Sequence, residues 1–281
     1  MWKGDKMKYL ITRADDFGSA LSANHAMIQA VEYGNYIKNV SCMVAAPRIE
    51  EGLDRLIGLK KKKEFCIGLH AVLNSEWESI HYKSVLSPET IPSLVDSNGI
   101  FAFHPMKYQE KMPDVGEAVR EISAQLDKLA KLGVCADYVD THMLPEAAVP
   151  GLLDALSEFI KSKGLIDQRY FYTFPRAHQP ELSGRAMPEE DLAAYREWFQ
   201  TFEEEKQYIN ILHPAFYSEE TELFCNSVLT GNQTAKTRDA EQRVINSWVL
   251  EEYCERMDIK LLKYTEAVPQ GDTTMEAVKY F

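Results

Sequence analysis

The sequence predicts an α/β fold in which strands alternating with helices form a parallel sheet. Three observations carry the prediction: seven short β-branched or aromatic runs, longer amphipathic stretches between them, and ionisable residues gathered where the runs end. One such unit routinely fills ~250 residues, so the 281 residues are read as a single domain over 1–281. No internal repeat, low-complexity tract or linker interrupts it.

Lys8–Thr12 reads as the first strand and runs into RADDFG. Ser22 is placed to cap a helix through about Tyr33, with Gly34 as its stop. Asn39–Val44 is the second strand, and Pro47 suits the first turn of the helix after it. Phe65–Leu69 is the third strand and delivers His70. Residues 71–112 form a long aromatic stretch with a turn at Ser97–Gly99, and loops of that length usually carry function. Helical spacing returns at Val115, Val119, Ile122, Leu126, Leu129 and Leu132 and closes at Gly133. Tyr138–Asp140 is a fourth strand, followed by a helix over about Val149–Lys163. Tyr170–Phe174 reads as the fifth strand, and acidic residues after Pro188 mark the start of a helix to about Phe202. Tyr208–Leu212 delivers His213, a helix follows over about Arg238–Met257, and Lys260–Leu262 is the last strand. Such an alternation fits either an open wound sheet or a barrel.

Apolar residues make up 45% and charged residues 26%, enough for a large core. The net charge of −12 repels a phosphate backbone, so nucleic acid is not an expected partner. No stretch approaches the ~20 apolar residues of a membrane span. The N-terminal run lacks a long apolar segment with a small-residue cleavage site. A cytoplasmic location is expected. The five cysteines lie far apart without a CxxC and read as reduced thiols packed as small hydrophobes.

The carboxyl ends of parallel strands open on one face, where active sites form. Asp15 and Asp16 follow the first strand, His70 ends the third, His142 follows the fourth and His213 ends the sixth. Two imidazoles and a carboxylate suit a catalytic divalent ion that keeps a position open for water. Taken singly, Asp15–Asp16 reads equally as a helix cap, and each histidine as a hydrogen-bonded strand end. Adjacent strand residues face opposite ways, so both aspartates serve one site only if the chain is already turning, which Gly18 eases. The DFG triplet has no HRD loop or glycine-rich loop to accompany it, which excludes a kinase. His25, His81, His104 and His178 read as surface or structural. Trp77, Tyr82, Phe101, Phe103 and Tyr108 read as loop packing, with a sugar-stacking wall as the alternative.

An ordered set of motifs now becomes informative: ADDFG at Ala14–Gly18 with Ser22 and Asn24, SxMV at Ser41–Val44, GLH at Gly68–His70, DTH at Asp140–His142 and LHPA at Leu212–Ala215. Together they resemble the YdjC-like family, which includes chitooligosaccharide deacetylase. The resemblance implies a distorted (β/α) barrel, seven-stranded and related to polysaccharide deacetylases, that removes the acetyl group of a small N-acetylated sugar. It implies Asp16, His70 and His142 as metal ligands, Asp15 as general base and His213 as the acid for the leaving amine. The cofactor is then one divalent ion, Mg²⁺ by resemblance, with Zn²⁺, Mn²⁺ or Co²⁺ suited to the same ligands. A homodimer is compatible with the sequence. Two departures bear on the sugar: Met143, Leu144 and Pro145 follow His142 where relatives often carry a second histidine shortly after it, and Arg176 lies after Pro175 where relatives carry an arginine before the proline. A metal-dependent sugar isomerase or epimerase is the rival enzyme, although such sites more often gather several acidic ligands. A non-catalytic carbohydrate-binding protein would be expected to have lost a ligand or the base.

Overall fold

A computed structural model describes residues 7–102, 108, 110–171, 179–182 and 188–269. Its strands are β1 (Lys8–Phe17), β2 (Asn39–Cys42), β3 (Cys66–Ala71), β4 (Tyr138–Thr141), β5 (Ile166–Asp167), β6 (Gln207–Leu212) and β7 (Ile259–Leu262). The helices are α1 (Leu21–Tyr33), α2 (Leu53–Lys60), α3 (Val115–Lys131), α4 (Leu152–Ser162), α5 (Pro188–Gln200), α6 (Gly231–Ile245) and α7 (Val249–Arg256). The strands run in the order β5-β4-β3-β2-β1-β6, and β7 pairs with β1 beside the path. Every pairing between them is parallel. The sheet curls into a half-barrel.

Side chains alternate along each strand, and this alternation builds the site. Ile11 lies two residues below Arg13 and four below Asp15; Tyr138 stands in the same relation to Asp140 and His142, Cys66 to Gly68 and His70, and Ile209 to Ile211 and His213. Ile11, Cys66, Tyr138, Ile209, Ile211 and Leu262 pack together with Phe171 and Tyr264 as one buried cluster. The same face of the strands is therefore apolar at the base and ionisable at the carboxyl end. A larger cluster, with Leu10, Ala14, Val40 and Leu69 from the other face, packs the helices onto the sheet. Gly68 makes the inner layer possible, because a Cβ there would sit 2.3 Å from the Tyr138 ring. Any larger residue would displace that ring.

Four expected elements differ in detail. Ser22 lies inside α1, whose first residue follows Ala20 without a side-chain cap. Pro47 falls in turns ahead of α2, which starts after Gly52 in a left-handed conformation, φ 90°. The fifth strand is Ile166–Asp167, not Tyr170–Phe174: Gln168–Phe171 is a 3₁₀ turn, and 172–174 lie outside the described residues. Asp167 accepts hydrogen bonds from the Arg169 backbone (3.0 Å) and side chain (2.8 Å), a local closure that ends the strand early. The expected helix over Arg238–Met257 is two helices, α6 and α7, divided at Asn246–Trp248, where Trp248 has φ 61°.

The long 71–112 connection is packed, not loose. Buried Glu121 on α3 accepts from the amides of Val85 (2.9 Å) and Leu86 (3.0 Å), which ties the connection to the helix. Trp77, Tyr82, Phe101 and Tyr108 are buried, so they pack the loop as the sequence reading preferred; Phe103 lies outside the described residues. Among the described residues, no helix is long and apolar enough to cross a membrane.

Candidate metal centre

Asp15 and Asp16 meet at one site because β1 breaks its own alternation. The pairing of β1 with β2 shifts register between Ala14 and Phe17, and Asp16 carries φ 71°. A left-handed non-glycine residue is strained and marks places where function holds the backbone. Gly18 continues the turn at φ 106°, and its amide donates to Asn24 Oδ1 at 2.6 Å. Asn24 in turn donates to the carbonyls of Arg48 (2.8 Å) and Glu51 (2.6 Å), locking the turn against the following loop. The Asn24 of the sequence motif is thus a brace for the aspartates.

His70 and Asp140 are register partners on adjacent parallel strands, so their side chains share a face. Asp140 Oδ2 contacts His70 Nδ1 and thereby turns Nε2 inward. His142 follows β4, its amide donating to the Ala71 carbonyl at 2.9 Å. Three ligand atoms converge: His70 Nε2 lies 3.3 Å from His142 Nδ1 and 3.5 Å from Asp16 Oδ1, and His142 Nδ1 is 3.6 Å from the same oxygen. A tetrahedral ion with bonds of 2.0–2.1 Å separates its ligands by about 3.3–3.4 Å. These residues therefore fit a divalent ion. Asp16 Oδ1 is also buried without a hydrogen-bond partner among the described residues, as expected of an oxygen whose partner is a cation.

Buried arginines tie down the carboxylates. Arg13 grips Asp15 two residues along the same face, at 2.6 Å to each oxygen. Arg238 Nη2 donates to Asp16 Oδ2 at 2.8 Å, which leaves Oδ1 facing the histidines. Burial opposes ionisation of Asp16, but Arg238 and the histidines outweigh it and hold its carboxyl well below the usual range. Burial likewise opposes ionisation of Asp15, and Arg13, His70 and His213 lower its pKa overall. Burial disfavours the His70 cation, yet Asp140 and Asp15 push its pKa well above the ordinary value. In His142 and His213 burial dominates and pushes the pKa down to about 3 and about 4. At His213 both aspartates oppose that fall without overcoming it, and its amide donates to Glu241 Oε2 at 2.5 Å. All five expected site residues thus gather at one end of the sheet. His25 and His81 are exposed, and His104 and His178 lie outside the described residues.

The profile of the YdjC-like protein family matches residues 9–256. The chain belongs to the YdjC-like family. A carbohydrate deacetylase of Brevibacillus brevis is 25% identical over 272 residues, covering 92% of this chain and 98% of the relative. A carbohydrate deacetylase of Thermoanaerobacter pseudethanolicus is 31% identical over 140 residues, so this chain spans about half that relative's length (50%). A crystal structure from Enterococcus faecalis V583, provisionally assigned to cellobiose-phosphate cleavage, superposes with a TM-score of 0.70 at 22% identity, covering 92% of this chain and 98% of that one. That likeness speaks to the fold.

Three residues at the YdjC-like centre carry no signal in the sequence. Arg238 is 222 positions from Asp16 and reads as an ordinary charge on a helix face. Its guanidinium lies 5.8 Å from the Trp77 ring and 4.9 Å from the Phe224 ring, packed beside both aromatic side chains. Glu76 comes from the long loop, its pKa raised to about 8 by burial and by Asp16. Arg13 precedes the ADDFG motif, and only the alternation of β1 relates it to Asp15.

Proposed function

We propose that this protein is a metal-dependent carbohydrate deacetylase that hydrolyses the acetamide of a small N-acetylated sugar. One observation carries the reading: Asp16 Oδ1, His70 Nε2 and His142 Nδ1 lie within 4.8 Å of one another, with Asp15 beside them. The relatives named carbohydrate deacetylase support the same reaction.

In this reading Asp16, His70 and His142 hold the ion, and the two-imidazole, one-carboxylate set favours zinc, cobalt or manganese over an all-oxygen site for magnesium. When bound, such an ion would supply Lewis acidity, which activates a carbonyl and makes water a stronger acid, by up to ~9 pKa units in favourable zinc sites. Loading it requires neutral imidazoles, so the acidic neighbours that favour the His70 cation oppose loading, while the burial of His142 favours it. Asp15, ionised under Arg13, takes the proton that water loses. The leaving nitrogen needs one proton, so the transfer balances within the site. His213 begins neutral, its pKa pushed down to about 4, and must be loaded during the reaction before it delivers that proton. Acetate and a free amino sugar result.

The test is acetate release from a panel of N-acetylated mono- and oligosaccharides, with chelator and metal add-back. Chelation is expected to abolish release and add-back to restore it. His70→Ala and His142→Ala should lose metal and activity together. Asp15→Asn should keep the metal and lose about 10²–10⁴-fold in turnover. Isomerised sugar without acetate would instead identify the isomerase class, and full activity in Asp15→Asn would remove the base assignment.

A further inference from the structure

Glu76 lies in the connection between β3 and α3, and the reaction outlined above gives it no role. Its Oε1 is 3.5 Å from His142 Nε2, the ring nitrogen turned away from Asp16. That nitrogen is buried and has no hydrogen-bond partner among the described residues. A neutral imidazole carries one N–H. With Nδ1 presenting its lone pair beside Asp16 Oδ1 and His70 Nε2, the hydrogen belongs on Nε2, where a Glu76 carboxyl oxygen is the facing acceptor.

The backbone that carries Glu76 is anchored on both sides. The Ser75 amide donates to the Ala102 carbonyl at 2.8 Å, and the Glu78 amide to the Cys225 carbonyl at 2.9 Å. The Glu76 carbonyl accepts from Asn226 Nδ2 at 3.3 Å, and Trp77 stacks on Phe224 with centroids 5.4 Å apart. Asp140 stands in the equivalent relation to Nδ1 of His70. Both His70 and His142 thus face an acidic side chain across the outward nitrogen.

We propose that Glu76 is a positioning residue that fixes His142 as the Nε2–H tautomer and holds its ring so that Nδ1 faces Asp16 and His70. The proposal rests on the metal-centre reading and supplies the outward partner that His142 otherwise lacks. Outer partners of ligating imidazoles typically change metal affinity 10–100-fold when removed.

Two measurements on the full chain test it without reference to turnover. The first is ¹⁵N–¹H NMR of the histidine rings in the metal-free wild type, Glu76→Gln and Glu76→Ala. The second is Co²⁺ binding by chelator competition, with the visible spectrum of the Co²⁺ form. His142 is expected as the Nε2–H tautomer in the wild type and in Glu76→Gln, whose amide oxygen still accepts. Glu76→Ala is expected to lose that preference, bind Co²⁺ about 10–100-fold more weakly and show an altered spectrum. A wild-type His142 protonated on Nδ1 overturns the proposal. So does wild-type Co²⁺ affinity and spectrum in Glu76→Ala, or a Glu76→Gln variant as weak as the alanine. Should the alanine variant fail to fold by circular dichroism, the tautomer in the wild type and in Glu76→Gln decides. A wild type that binds no Co²⁺ while keeping the Nε2–H tautomer sinks the metal-centre reading and leaves the ring positioning standing.

Discussion

Replacing Arg238 with methionine isolates the electrostatic side of the centre. Methionine keeps much of the side-chain length and packs well on aromatic faces, so the contacts with Trp77 and Phe224 are largely retained. What disappears is the guanidinium 2.8 Å from Asp16 Oδ2, in a pair whose side chains are 8% and 0% exposed. Breaking a buried pair by removing one partner costs about 3–5 kcal/mol, because the remaining charge is stranded away from water. With an unfolding entropy of about 2.1 cal/mol/K per residue, that loss lowers Tm by about 5–9 °C in a chain of this size. Thermal unfolding of the metal-free protein at neutral pH gives the readout, repeated in an Asp16→Asn background. There the stranded charge no longer exists, so Arg238→Met should cost much less. Divalent ion should also recover part of the loss, since it neutralises the same carboxylate. A drop in Tm of under about 2 °C, or an equal drop in the Asp16→Asn background, would refute the reasoning.

Gly68→Ala should destabilise by about 1–3 kcal/mol in urea unfolding, because the new Cβ meets the fully buried Tyr138 ring at 2.3 Å; an unchanged midpoint would show that the ring yields freely. Burial pushes the Glu241 carboxyl from its usual 4.5 up to about 7, against the opposing His213 amide and Arg238. Between those values the folded chain binds more protons than the unfolded one, so this group's contribution to stability falls as pH rises through the window. Glu241→Gln removes the titration while its amide oxygen can still accept from His213, so its Tm relative to the wild type should grow from about pH 5 to about pH 8. A pH-independent difference would count against the shift.

The strand ends were legible because ionisable residues sat where β-branched runs stopped, and the runs themselves follow period two. Asp16, His70 and His142 were found this way, and His213 with them. The turn that unites Asp15 with Asp16 was legible only as a requirement: Gly18 hinted at it, while the left-handed φ of 71° at Asp16 depends on the register shift against β2. Arg238 and Glu76 were invisible for a different reason. Neither lies on a strand, and contacts across 222 positions of chain for Arg238 with Asp16, or between Glu76 and the distant His142, leave no local spacing to read. The fifth strand was misplaced because YFYTF has the composition of a strand, whereas the Asp167–Arg169 hydrogen bonds close a turn there first. The last helix was drawn unbroken because its apolar spacing continues across Asn246–Trp248, and the left-handed backbone at Trp248 is set by tertiary packing. Trp248 Nε1 donates to the Tyr33 carbonyl at the end of α1, a bond no window of sequence contains.

Arg13 does more than hold Asp15. The same guanidinium donates to Gln168 Oε1 at 3.0 Å and the Tyr264 hydroxyl at 3.1 Å, and lies 3.4 Å from Asp140 Oδ2. One cation therefore welds β1, β4, the turn after β5 and the segment after β7 into a single block. Neither carboxylate can drift without dragging its neighbour, so the reacting geometry is inherited as a unit. On the deacetylase proposal, a change of sugar would have to be met by residues outside that block, which can vary while these bonds stay intact.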